Sequence, residues 1–166
     1  MKNTPIQRLT ITALLAALAL ALSFLESLLP PLPVPGVRFG LANVVIMAAL
    51  AGVSFTGAAG ITAAKSLFAL LTRGPVACLM STLGGALALL AMAAACRWGR
   101  RWFSFIGVGV LGAAAHNVGQ LLGAVTLLGS AMWYYTPVLL LVSIPTGVVT
   151  GAVMNILYPH IRQFSL

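Results

Sequence analysis

His116, Asn117 and Gln120 fall within five positions of the stretch AAAHNVGQLL, residues 113–122, with only small and apolar residues for several positions on either side. Imidazole and carboxamide groups donate and accept hydrogen bonds. On a helix, positions i, i+1 and i+4 share one face. That face must look into the protein, because lipid would leave these groups unpaired. Lys65 and Glu26 are isolated in oily runs in the same way, and Asn43, Arg38 and Arg73 stand at the borders of such runs. Together these residues suit the binding and charge neutralisation of a small molecule. Lys65, Arg38 and Arg73 against Glu26, with histidine counted as neutral, give a balance of about +2, which favours a carboxylate or phosphate. The oily surroundings suit a ligand with an apolar body. The same residues allow a purely structural alternative, in which Lys65 pairs with Glu26 while His116, Asn117 and Gln120 tie helices together.

Composition sets the surroundings of this cluster. Of 166 residues, 61% are hydrophobic and 6% charged, against about 25% charged in a soluble domain. Such a chain cannot cover a surface facing water, so its solvent is lipid. The length and the lack of any linker-like stretch indicate a single transmembrane domain over residues 1–166. The net charge of +8 would suggest nucleic acid in a soluble protein. Here the basic residues lie between oily runs, where they set topology and meet anionic headgroups, so no nucleic-acid partner is expected. Aspartate is absent and Glu26 is the only acid. That excludes a P-loop ATPase and a carboxylate proton relay of the usual kind. His116 and His160 are too far apart and too poorly accompanied for a zinc site, and no nucleophile–base pair stands out. No metal, cofactor or catalytic residue is expected. Cys78 and Cys96 sit in one oily run, about 27 Å apart on a helix, beyond disulfide reach, and read as small apolar residues.

The elements that must position the cluster follow from the apolar runs, since a helix crossing the hydrocarbon needs about 20 such residues. Lys2 and Arg8 precede an oily run from Leu9 to Leu29. This resembles a signal peptide but ends in prolines without a cleavage site, so an uncleaved first span over Arg8–Leu29 is expected. The stretch PPLPVPGVRFG, 30–40, forbids helix and predicts an ordered loop. Residues 41–72, interrupted by GVSFTG at 52–57, make two short helices or a re-entrant hairpin. Val76–Cys96 is a fourth span, RWGRRW at 97–102 a basic loop with interfacial tryptophans, and Phe105–Ser130 a fifth. The aromatic MWYY at 132–135 opens a sixth, running to about Tyr158 and kinked at Pro137 and Pro145. The fold class is therefore all-α, an integral membrane bundle of six transmembrane helices. With the N-terminus inside, Lys2, Arg8, Arg97, Arg100, Arg101 and Arg162 are cytoplasmic and Arg38 and Arg73 external. The positive-inside rule then places both termini in the cytoplasm of a multi-pass cell-membrane protein. The polar cluster falls in the outer half.

Small residues recur at helix-contact spacing. Ala13, Ala17 and Ala21 form an alanine face on the first helix, and Gly119/Gly123 and Gly147/Gly151 form GxxxG pairs. Such faces bring backbones close in lipid, either within the monomer or, for the alanine face, against a partner subunit.

These features resemble the substrate-binding (S) components of energy-coupling factor (ECF) transporters. The resemblance extends over nearly the whole chain, carried by RLTITALLAALALAL (8–22), the proline-rich first loop and the six helices. More specifically, PVPGVRFGLANVV (33–45), LGGALALLAM (83–92), GAAAHNVGQLL (112–122) and YYTPVLLLVSIPTGVVTG (134–151) are similar to the Gx transporter family, also labelled heptaprenyl diphosphate synthase component I. The resemblance implies a six-helix S-component fold, an outward pocket gated by the first loop, and a partner module. That module is a transmembrane scaffold subunit with two ATPase subunits, docked on Ala13, Ala17 and Ala21. The resemblance leads one to expect arginine in the region of Lys65. Lysine keeps the charge without the bidentate fork. That outward pocket agrees with the ligand-binding set expected from the polar residues themselves: Lys65, His116, Asn117 and Gln120, with Asn43, Arg38 and Glu26 near the outer mouth. The alternative is an accessory membrane subunit linked to isoprenoid metabolism without catalysis of its own. Prenyl chain elongation needs Mg²⁺ held against diphosphate, usually by aspartates, and this chain has none. The topology predicts that cysteines placed at 38 and 100 are labelled from opposite sides of the membrane. Labelling of both from one side would refute it.

Overall fold

Breaks between helices fall where the sequence supplies proline, glycine or a capping serine. In the computed structural model, residues 5–28, 40–98 and 103–165 are described, with side chains to residue 161. Six α-helices follow in order: α1 Pro5–Ser27, α2 Asn43–Gly52, α3 Phe55–Arg73, α4 Pro75–Trp98, α5 Phe105–Leu128 and, after a 3-10 turn at Ser130–Tyr135, α6 Thr136–Ser165. No strand occurs among the described residues. Proline stands first in α1 and α4, where its missing N–H costs nothing. The Ser54 and Ser104 hydroxyls accept the amides of Gly57 and Gly107 at 3.0 and 3.3 Å, capping α3 and α5. Pro145 and Pro159 lie inside α6, which runs through both as one helix. Cys78 and Cys96 are free thiols on α4. The proline-rich loop with Arg38 and the basic loop with Arg100 and Arg101 lie outside the described residues.

Five of the helices are long and apolar enough to cross a membrane, so the chain is a multi-pass membrane protein. The exception refines the expectation of six spans. α2 has ten residues, about 15 Å, half the thickness of a hydrocarbon core of about 30 Å. It is also the helix that touches all five others. Ile46, Met47 and Ala49 are almost wholly buried, as a helix apolar all round must be. Around it lies the main apolar core, including Ala19, Ile61, Met92 and Met154. A smaller core of Met80, Leu121, Ala124 and Leu139 joins α4, α5 and α6. Gly52 rests on Ile161, Gly57 lies near Thr12, and the Phe105 and Tyr158 rings meet at 4.7 Å. These contacts place the start of α1 and the end of α6 at one end of the bundle.

Both GxxxG pairs are spent inside the monomer. Gly147 and Gly151 of α6 lie directly on the α5 backbone at Val110 and Ile106, while Gly119 of α5 faces the α4 backbone at Leu83 and Gly84. The alanine face behaves differently. Ala13, Ala17 and Ala21 are exposed, because α1 turns Leu15, Ala16, Ala19 and Leu22 to the core instead. A side chain at 147 has no room, so Gly147→Ala is expected to destabilise the protein by about 1–3 kcal/mol through overpacking. Gly60→Ala, with open space around it, should be neutral or stabilising by up to about 1 kcal/mol. Thermal unfolding of both variants in detergent checks the contrast.

Candidate functional site

α1, α3, α4 and α5 bring polar side chains together above the main core. The walls of one small cavity are Ser23 and Glu26 from α1, Gly40 before α2, Lys65 and Arg73 from α3, Ala77 and Ser81 from α4, and His116 and Gln120 from α5. Glu26 is 6% and Lys65 4% exposed. The space between these walls is tight, with ≈ 10 Å³ for the centre of a water-sized sphere, room for about one water. Lys65 and Glu26 attract each other across it, while Arg73 repels Lys65. With histidine neutral, the described lining residues Lys65, Arg73 and Glu26 leave one net positive charge.

Gly40 is the hinge of this arrangement. Its backbone N–H donates to the Glu26 carboxylate at 2.5 Å, and its φ of +82° lies in the left-handed region, where glycine is unstrained. A Cβ there would meet the His116 ring at 2.9 Å and Asn43 Nδ2 at 2.8 Å. The only acid in the chain thus ties the end of α1 to the entry of α2, and the absence of a side chain lets His116 and Asn43 close around the tie.

The polar residues of the sequence divide here. Lys65, Glu26, His116 and Gln120 share the cavity. Asn43 is 2% exposed, beside Gly40 at its edge. Asn117 does not line it. One residue along a helix turns the side chain by about 100°, and Asn117 Nδ2 donates instead to the Leu139 carbonyl of α6 at 2.8 Å. Arg38 lies outside the described residues. Ser23, Ser81 and Arg73 complete the lining. The sequence places Ser23 three residues before Glu26, a same-face spacing, but a serine in a membrane helix bonds its own backbone so readily that it carries little signal.

Several buried atoms here have no hydrogen-bond partner among the described residues. Both amide atoms of Asn43 and Oδ1 of Asn117 are unpaired, and His116 Nδ1 is turned to Gly84 without meeting it in hydrogen-bonding geometry. Each such group costs about 1–3 kcal/mol, and an uncompensated one calls for an explanation beyond folding.

A multi-pass bundle with buried charged and orphaned polar groups between its helices defines a membrane protein with an internal polar site. The chain belongs to the heptaprenyl diphosphate synthase component I family, whose model matches residues 15–157. No curated protein and no solved structure matches it.

Gly40→Ala should lower stability by at least about 1–2 kcal/mol, the cost of a left-handed conformation for a residue with a Cβ, with the clash against His116 and Asn43 in addition. Thermal unfolding in detergent measures it. An unchanged midpoint would mean that Glu26 does not hold Gly40 in this conformation.

Proposed function

We propose that the protein is the substrate-binding component of an ECF-type importer. It captures a small, anionic, partly apolar ligand from outside and hands it to a scaffold subunit coupled to two ATPase subunits. The observation that carries this reading is the unpaired Asn43 amide, held at the edge of a cavity with a net positive lining. A buried amide with both donor and acceptor idle is matched by a ligand that offers both. Lys65 supplies the charge, Gln120 and His116 orient, and Glu26 holds the entry of α2. The cavity accommodates about one water, so binding on this reading parts the walls that α1 and α3 contribute. Asn117 supports the α5–α6 contact from behind. The exposed alanine face of α1 is the surface for the scaffold subunit, since close backbone approach needs small residues.

A second reading rests on the family's description: an accessory membrane subunit tied to prenyl diphosphate metabolism. One glutamate in the whole chain, already engaged with Gly40, supplies no aspartate-type metal site, so catalysis would belong to another subunit.

Solvent extraction of the purified protein followed by mass spectrometry distinguishes the two readings. The importer reading expects a small acid released in stoichiometric amount, whereas the accessory reading expects none. Lys65→Met should weaken retention of that compound about tenfold or more, the worth of one charge-assisted hydrogen bond, with little loss of thermal stability. If Lys65 is instead only the partner of Glu26, Lys65→Met destabilises the fold and Glu26→Gln rescues it. Rescue with ligand retention intact defeats the pocket. Ala17→Leu should reduce co-purification with the ATPase module while the unfolding midpoint stays unchanged.

A further inference from the structure

α3 and α4 are joined at Gly74, and at the far end of this pair a groove opens between them. Its floor is the end of α2 together with α5 and α6. Leu50 of α2, Phe55 of α3, Leu90 of α4 and Val108 of α5 line its depth. Small side chains, Ala51 and Ala94 among them, keep it open. Its volume is ≈ 1070 Å³, just above the range of about 300–1,000 Å³ for small-molecule sites and far larger than the polar cavity. This site is independent of the proposed transport role.

The rim of the groove is of different character. Arg97 and Trp98, at the end of α4, and Ser104, at the start of α5, lie together there. Trp98 is 78% exposed, as befits an indole at the headgroup level. Ser104 caps Gly107 through its hydroxyl and Val108 through its carbonyl. The helix itself offers no acceptor to the amides of Phe105 and Ile106, and these point outward at the positive end of the α5 dipole. Arg97 has no side-chain carboxylate to pair with, because the only one in the chain is Glu26, bound to Gly40 in the polar cavity. The rim therefore presents unbalanced positive charge directly above an apolar slot.

We infer that this groove is a binding site for an anionic phospholipid of the surrounding leaflet, with its phosphate between Arg97 and the N-terminus of α5 and an acyl chain along Leu50, Leu90 and Val108. A zwitterionic lipid fills the slot equally well but brings its own cation to a rim whose described residues carry no anion to receive it. Charge complementarity, and not apolar area, makes the site selective.

The test uses the full-length protein in detergent, titrated with phosphatidylglycerol or phosphatidylcholine and read by native mass spectrometry. Phosphatidylglycerol should be retained preferentially. Arg97→Gln should lower its retention about fivefold, the factor that corresponds to about 1 kcal/mol per cationic side chain at an anionic surface, and leave phosphatidylcholine unchanged. Arg97→Lys should keep most of the preference. Arg8→Gln, an exposed basic residue outside the groove, should have no effect. Ala94→Phe should displace both lipids, and if that variant does not fold, the Arg97 pair and the Arg8 control decide alone. Equal retention of the two lipids overturns the inference. So does a loss with Arg8→Gln as large as with Arg97→Gln, which would show diffuse charge attraction in place of a site.

Discussion

In a solvent that offers no hydrogen bonds, each polar atom must find its partner within the protein. The rest of this structure depends on that constraint. Lipid cannot hydrate Lys65, Glu26 or His116, so α1, α3, α4 and α5 bring these side chains and their polar neighbours to one place. The apolar core is displaced to the other end, around α2. Burial of Glu26 is tolerable because it accepts a backbone amide and faces a cation. Polar economy and architecture are thus one arrangement, in which the tie between Glu26 and Gly40 is both the neutralisation of a carboxylate and the start of a helix.

The same constraint explains why helix contacts rest on glycine. Lipid tails are as apolar as leucine, so helices gain nothing by hiding leucine from them and associate through backbone approach instead. Gly109, Gly147 and Gly151 bring α5 and α6 together, and Gly84 and Gly119 do the same for α4 and α5. Large apolar side chains such as Leu14, Leu71 and Ile156 are left facing outward. Against that pattern the exposed alanines of α1 stand apart. They are small residues at contact spacing that the monomer leaves exposed.

Much of this was legible in the sequence. Run length gave α1, α4 and α5 to within about three residues, but it ended the last helix near Tyr158, where α6 runs on to Ser165. The convergence of Lys65, Glu26, His116 and Gln120 was legible because isolated polar residues in oily runs have one place to go. Asn117 stands outside the cavity walls, a distinction the face rule is too coarse to make between neighbours. Positions i and i+1 lie near one face, yet their side chains reach different helices. The half-length of α2 was only partly legible. The interruption at 52–57 fixed its end, but its start depends on Gly40, whose conformation is set by a contact with Glu26 fourteen residues earlier. The groove at the basic end left no sequence signal, because alanines that leave space and alanines that fill it look alike.

The brevity of α2 has a mechanical consequence. A helix that crosses a bilayer answers to its thickness, tilting when the hydrocarbon thins and straightening when it thickens. Five helices here are subject to that adjustment, and α2, at about 15 Å, is not. Its depth is set only by the side chains around it. The four helical walls of the polar cavity, α1, α3, α4 and α5, therefore respond to hydrophobic mismatch while the element beneath them does not. Membrane thickness acts on the cavity as a shear between walls and floor.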